Sequence, residues 1–286
     1  MEHIIIIKAG QYSPSDRKVN QDSSINMIKK ISDQQIGFFG VFDGHGEYGE
    51  QVSNYVKENL QKYLLFKLKN TQNIISILNE CFDSVSNDLL RNNQINTYLS
   101  GTTAVTVFIQ GNKIYCSNCG DSRAILAKFN QKDYHPIWKN INLSNDHKPN
   151  LKLEKKRILQ NGGRVELQID ENEQNIGIYR VWNQSLTYPG LAMSRSLGDK
   201  AGREVGVISV PEILQFDIGE DDKFIVIASD GVWEFLSNEQ VVDIVAPFYK
   251  NNNINGAAES LIKQSVKQWQ ENDDVIDDIT CVILFI

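Results

Sequence analysis

The stretch Phe38-Phe39-Gly40-Val41-Phe42-Asp43-Gly44 decides the fold: an apolar run long enough for one strand closes on a carboxylate and a glycine. The same design returns downstream. Phe224 to Ser229 runs into Asp230-Gly231, Cys116 to Cys119 runs into Gly120-Asp121, and Asp277-Asp278 immediately precedes the last apolar run. Each places a carboxylate at the end of a buried strand, with glycine beside the first three to let the backbone turn or approach closely. One such site is an ordinary turn signal. Four of them, if they meet at one sheet end, repel: two like charges about 4 Å apart cost on the order of 4 kcal/mol at an effective dielectric of 20. No Lys or Arg is interleaved with them. Hard cations resolve the repulsion, and an all-oxygen donor set suits Mg2+ or Mn2+ where His and Cys are too few for zinc.

Working outward, apolar runs bounded by Gly, Asp and Asn predict strands over Ile36–Phe42, Thr102–Ile109, Lys113–Ser117, Ala124–Phe129, Phe224–Ser229 and Ile279–Ile286. Gln110-Gly111-Asn112-Lys113 predicts a tight antiparallel hairpin. Three- and four-residue apolar spacing predicts helices over Tyr48–Leu68, Asn73–Leu90, Leu153–Gln160, Asn238–Phe248 and Ala257–Gln270, and Ser237 with Gln240 forms a capping box. The polar stretch Asp170 to Tyr188 is expected to be a surface insertion or lid within a single domain spanning residues 1–286.

The whole chain agrees with a soluble globular protein. It has 286 residues, 41% hydrophobic and 23% charged, enough for one large domain or two small ones. A net charge of -7 gives no electrostatic footprint for nucleic acid. Glu2 stands where an export signal needs basic residues, and Ile4 to Ile7 is too short to span a bilayer, so no membrane insertion is expected. Four cysteines in such a length are no disulfide scaffold, which points to a reducing compartment, the cytoplasm or nucleus.

The ordered series Asn20-Gln21-Asp22, Val41-Phe42-Asp43-Gly44-His45-Gly46, Ser100-Gly101-Thr102-Thr103-Ala104, Gly120-Asp121-Ser122-Arg123-Ala124, Leu191-Ala192-Met193-Ser194-Arg195-Ser196-Leu197-Gly198-Asp199, Ser229-Asp230-Gly231-Val232-Trp233 and Asp277-Asp278-Ile279-Thr280 resembles the metal-dependent protein serine/threonine phosphatases of type 2C, the PPM family. The resemblance implies an α+β fold: a four-layer α-β-β-α sandwich with two central antiparallel sheets. It further implies hydrolysis of phosphoserine and phosphothreonine in protein substrates by a metal-activated water, in a monomer. Asp43 would bridge two Mg2+ or Mn2+ ions, with the Gly44 carbonyl on one and Asp230 and Asp277 on the other. Asp22 would hold metal-bound water, and Asp121 with Glu234 would line a weaker third site. Arg17 would bind phosphate and His45 would protonate the leaving oxygen. Gln21 departs from the pattern, since many members carry Glu there, and it is the one feature that favours a binding module without turnover.

Other readings weigh less. Gly44-His45-Gly46-Glu47-Tyr48-Gly49 matches a dinucleotide fingerprint, but Asp43 would face the pyrophosphate and the following stretch is helical where a second strand should stand. Cys116 and Cys119 lack a second pair and suit a buried strand. A cysteine phosphatase needs Arg six positions after its nucleophile, and Ser122 stands there. His147 in Asp146-His147-Lys148-Pro149 suits a structural turn, and Lys152, Lys155, Lys156 and Arg157 suit the solvated face of a helix.

Overall fold

Along the strand Gln34–Phe42 the side chains alternate: Phe38 and Phe42 face one way, Phe39 and Val41 the other, and both faces are buried. In the computed structural model, which describes residues 2–8, 10–13, 16–31, 34–69, 73–130, 132, 137–169 and 175–286, this strand belongs to a five-stranded antiparallel sheet. Its order is Glu212–Asp217, Lys113–Cys119, Ala104–Gln110, Gln34–Phe42 and Ser23–Ile31. A second five-stranded antiparallel sheet runs Glu2–Lys8, Ile279–Phe285, Asp222–Ala228, Arg123–Phe129 and Trp138–Asn142.

The sheets pack face to face. Phe39, Val41, Val105 and Val107 meet Ile225, Ile227, Val282 and Leu284 in a fully buried layer. Outside the first sheet, Phe38, Phe42 and Phe108 bury Val56, Leu60 and Phe82 of the helices Gly49–Lys67 and Ile74–Arg91. Outside the second, Phe224, Val226 and Ile283 bury Val241, Val245 and Leu261 of the helices Asn238–Lys250 and Ile254–Asn272. This is the expected α-β-β-α sandwich. At roughly 1.5–3 kcal/mol for each large apolar side chain taken out of water, these three layers carry most of the driving force for folding.

Local signals match the layers. Both halves of the Ser237–Gln240 capping box are made, and Gln110 pairs with Lys113 across a two-residue turn in which Gly111 takes a φ of 60°. Helix Lys152–Gln160 and the strands Arg164–Ile169, Asn175–Trp182 and Pro189–Leu191 form a satellite unit over Ile158, Val165, Val181, Leu191 and Val205. Of the Asp170 to Tyr188 stretch, residues 170–174 lie outside the described residues, and the strand Asn175–Trp182 pairs with both neighbours of its sheet.

Candidate active site

Strand register brings the carboxylates to one end of the sandwich. In the first sheet Ser23 pairs with Phe42, Val41 with Val105, and Ala104 with Cys119, so Asp22, Asp43 and Asp121 leave the sheet at the same end. In the second, Arg123 pairs with Ala228 and Ala228 with Cys281, which puts Asp230 and Asp277 at one end as well. The turn from Cys119 to Arg123 joins the two ends. Gly44 and Gly231 permit the crowding there. A Cβ on Gly44 would lie 2.4 Å from the Gly49 carbonyl oxygen, and one on Gly231 would lie 2.0 Å from that of Asp278.

Asp43 and Asp230 lie close enough for each carboxyl to shift the other. Burial, then the charges of Asp230, Asp22 and Asp277, push the Asp43 carboxyl well above the carboxylate range. Burial and the charges of Asp121 and Asp277 likewise raise Asp230. Burial lifts Asp22 to about 7, with the charges of Asp278 and Asp277 adding to the rise and the Ser229 hydroxyl opposing it. Ser229 Oγ donates to Asp22 Oδ2 at 2.9 Å, while Asp22 Oδ1 and Asp121 Oδ1 are buried without a partner. Asp278, the neighbour of Asp277, accepts from the Gly10 and Gln21 backbone N–H groups and so ties the first segment to the last strand.

One expectation fails here. The cluster is not without compensating cations: Lys18 Nζ donates to Asp277 Oδ1, and Lys148 Nζ donates to Asp121 Oδ2 at 2.6 Å. Lys148 lies 27 positions from Asp121 and reaches it only because the turn at Asp146–Lys148 packs on Gly120. Among the described residues no three His, Cys, Asp or Glu side chains form a ready metal-ligating group, and two of the acids are held by these ammonium groups. The donor chemistry nonetheless fits a hard cation: oxygen ligands, mutually repelling buried carboxylates, and two orphaned carboxylate oxygens.

His45 Nε2 lies 2.7 Å from Asp199 Oδ2, and Ser196 Oγ donates to the same oxygen. Burial pulls the His45 pKa down, and the Asp199 carboxylate outweighs it, so the ring holds its proton above the ordinary 6.5. Its Nδ1 is buried without a partner. The sequence motif around Leu197-Gly198-Asp199 gives Asp199 no role, and only its spatial contact with His45 reveals one. Gln21 Nε2 donates to the Gly46 carbonyl at 2.6 Å, and Asn20 Oδ1 accepts from the Asp22 N–H. Arg17 sits in a two-residue strand paired back to Gln11; its side chain lies outside the described residues. Glu234 is exposed one turn after Asp230.

The remaining candidates are structural. Cys116 and Cys119 bury in different layers, the first between the sheets and the second under the helices. His147 Nδ1 accepts from the Gly120 N–H, and burial lowers its pKa to about 4. Arg157 corrects a second expectation: it is no part of a solvated face, because it donates to Glu154, to the Ser194 carbonyl and to the Gly206 carbonyl.

The chain matches the family model described as Protein phosphatase 2C over residues 13–274. It belongs to the protein phosphatase 2C family. It is 36% identical over 289 residues to "Probable protein phosphatase 2C 34" of Arabidopsis thaliana, covering 94% of this chain and 78% of the relative. To "Probable protein phosphatase 2C 35" of the same plant it is 36% identical over 299 residues, covering 99% and 83%. The fold is similar to a crystal structure of serine-threonine phosphatase 2C from Toxoplasma gondii, with a TM-score of 0.74, 20% identity and 99% of each chain covered. It is also similar to a C. elegans sex determining protein, with a TM-score of 0.78, 19% identity, and 99% and 64% covered. This phosphatase 2C is thus a protein serine/threonine phosphatase of a metal-dependent family, acting on phosphoproteins. No helix among the described residues is long and apolar enough to cross a membrane.

Proposed function

We propose that the phosphatase hydrolyses phosphoserine and phosphothreonine with Mg2+ or Mn2+ held by Asp43, the Gly44 carbonyl, Asp230 and Asp277. Asp22 holds water beside these ligands, and Asp121 with Glu234 lines a weaker third position. The observation that carries this reading is the set of carboxylates at one sandwich end that burial and mutual repulsion hold above their ordinary pKa. Such groups release repulsion by gathering around cations. When bound, the ions supply Lewis acidity and an activated water as the nucleophile.

The chain's own groups supply the rest. Arg17 grips phosphate through its planar fork, on a segment whose ends Gly10 and Gln21 are fastened by Asp278. His45, kept protonated by Asp199, offers Nδ1, the nitrogen with no hydrogen bond yet made, to the departing Ser or Thr oxygen. The unit around Asn175–Trp182 acts as a flap of a single domain and selects substrates. Four buried free cysteines support a reducing compartment, cytoplasmic or nuclear, and a monomer suffices because every proposed group comes from one chain.

The test is metal removal together with one ligand change. EDTA should abolish hydrolysis of a phosphothreonine peptide, and millimolar Mg2+ or Mn2+ should restore it. Asp230→Asn should lower turnover by several orders of magnitude, while metal-free thermal stability stays equal or rises because a buried repulsion is gone. Full activity in EDTA, or an active Asp230→Asn enzyme, overturns the proposal.

A further inference from the structure

We infer that Lys148 is an internal cation that competes with a divalent ion for Asp121 and thereby sets the affinity of that part of the site. The inference rests on Asp121 being a metal ligand, as proposed above. Asp121 is 1% exposed, so its charge needs a partner. One oxygen has it, the Lys148 ammonium at 2.6 Å, and the other has none. A carboxylate with one oxygen on an ammonium and one buried oxygen unpaired is half satisfied, and the unpaired oxygen is what an incoming ion can use.

Lys148 is delivered to this place by the scaffold. The His147 N–H donates to the Gly120 carbonyl at 2.9 Å, and the Gly120 N–H donates back to His147 Nδ1 at 3.2 Å. One residue earlier, Asp146 takes Arg123 in a two-pronged pair at 2.8 and 2.6 Å. These contacts clamp the Asp146–Lys148 turn onto the loop that carries Asp121, so the ammonium does not reach it by the wandering of a surface chain. Asp230 and Asp146 add to the field that holds the Lys148 charge. The Lys148 side chain is also 31% exposed, which leaves the ammonium water to move into when a doubly charged ion takes its carboxylate. An ammonium on Oδ2 neutralises the Asp121 carboxylate and repels a divalent ion arriving at Oδ1, so each weakens the other by the same factor.

Equilibrium Mn2+ binding, read from the free-ion EPR signal with the full chain and no substrate, tests this without recourse to activity. Lys148→Met removes the charge and keeps the length, and the weakest class of Mn2+ should tighten by roughly 5- to 150-fold, the usual span of coupling between two sites. Lys148→Arg keeps a cation and should bind as wild type does. Lys148→Gln, which retains a donor without charge, is measured alongside, so a folding failure of the Met variant leaves the test intact and tightening is again expected. Asp121→Asn should abolish the weakest class, and the double variant with Lys148→Met should match Asp121→Asn alone. If the neutral Lys148 variants bind Mn2+ as wild type does while Asp121→Asn has lost the class, the competition is refuted and Asp121 keeps its place. If Asp121→Asn retains every class, the ligand assignment fails and the competition with it. Tightening that persists in the double variant shows Lys148 acting elsewhere and refutes the inference as well.

Discussion

Replacing Glu154 with Gln should be among the most destabilising isosteric changes in this phosphatase, and its cost should vanish in acid. Glu154 is 4% exposed and accepts from Arg195 at 2.7 and 3.2 Å, from Arg157 at 2.7 Å and from Ser194 Oγ at 2.6 Å. Burial pushes its carboxyl up, but the hydrogen bonds from Arg195, Arg157 and Ser194 outweigh it and hold the group well below its ordinary range. Glutamine keeps the shape and removes the charge, leaving two guanidinium groups against a neutral amide. Breaking a buried ion pair in this one-sided way costs about 3–5 kcal/mol. With an unfolding entropy of roughly 2 cal/mol/K per residue, that lowers Tm by about 5–8 °C. A carboxylate whose folded pKa is depressed contributes fully above the unfolded value near 4.5 and loses its contribution as pH falls through the folded one. Scanning calorimetry of wild type and Glu154→Gln in EDTA should therefore show a constant gap from pH 7 to about 5 that closes steadily below. A gap of under 1 °C at pH 7, or one that does not narrow toward pH 3, refutes the reasoning.

Gln21→Glu should lower the Mn2+ concentration for half-maximal activity and lower metal-free stability by up to about 1 kcal/mol, because the donor to the Gly46 carbonyl is lost; an unchanged Mn2+ titration would make position 21 neutral. His45→Gln should slow a phosphothreonine peptide by about 10²- to 10⁴-fold and para-nitrophenyl phosphate far less, since nitrophenolate leaves without a proton. Equal losses on the two substrates at saturating Mn2+ would remove His45 from the acid role.

What was legible in the sequence divides along a structural line. The strands predicted from apolar runs are the three inner strands of each sheet, and those missed, Glu2–Lys8, Ser23–Ile31, Trp138–Asn142 and Glu212–Asp217, are the four edges. Inner strands are covered on both faces, by the other sheet and by helices, so apolar residues occupy successive positions through their middles. An edge strand has a neighbour on one side only. Trp138–Asn142 and Glu212–Asp217 contain no fully buried residue, and Ser23–Ile31 is buried only at alternate positions near its start. Their pairing, not their composition, makes them strands. The site divides in the same way. Asp43, Asp121 and Asp230 were visible because a glycine stands beside each at a strand end, and Asp277 because it directly precedes the last apolar run. The partners Lys148 and Asp199 were not, because their contacts cross 27 and 154 positions of chain.

Buried acids in this molecule fall into two sorts, and the difference separates support from chemistry. Glu154 has a donor for each oxygen, and those donors hold its pKa down. Asp22 is about as deeply set and Asp43 and Asp230 are half-buried, and at all three the loss of water, with other carboxylates close by, drives the pKa values up. Folding alone favours the first arrangement, since a paired buried charge has its desolvation offset and an unpaired one does not. The second survives only if something outside the chain completes it, which is the physical ground for reading a metal site in it. Asp121 stands between the two, with one oxygen satisfied from within by Lys148 and one left open. If an ion binds there as proposed, a residue poised in this way would let the chain remain folded without the ion and still respond to it, at the cost of a weaker grip.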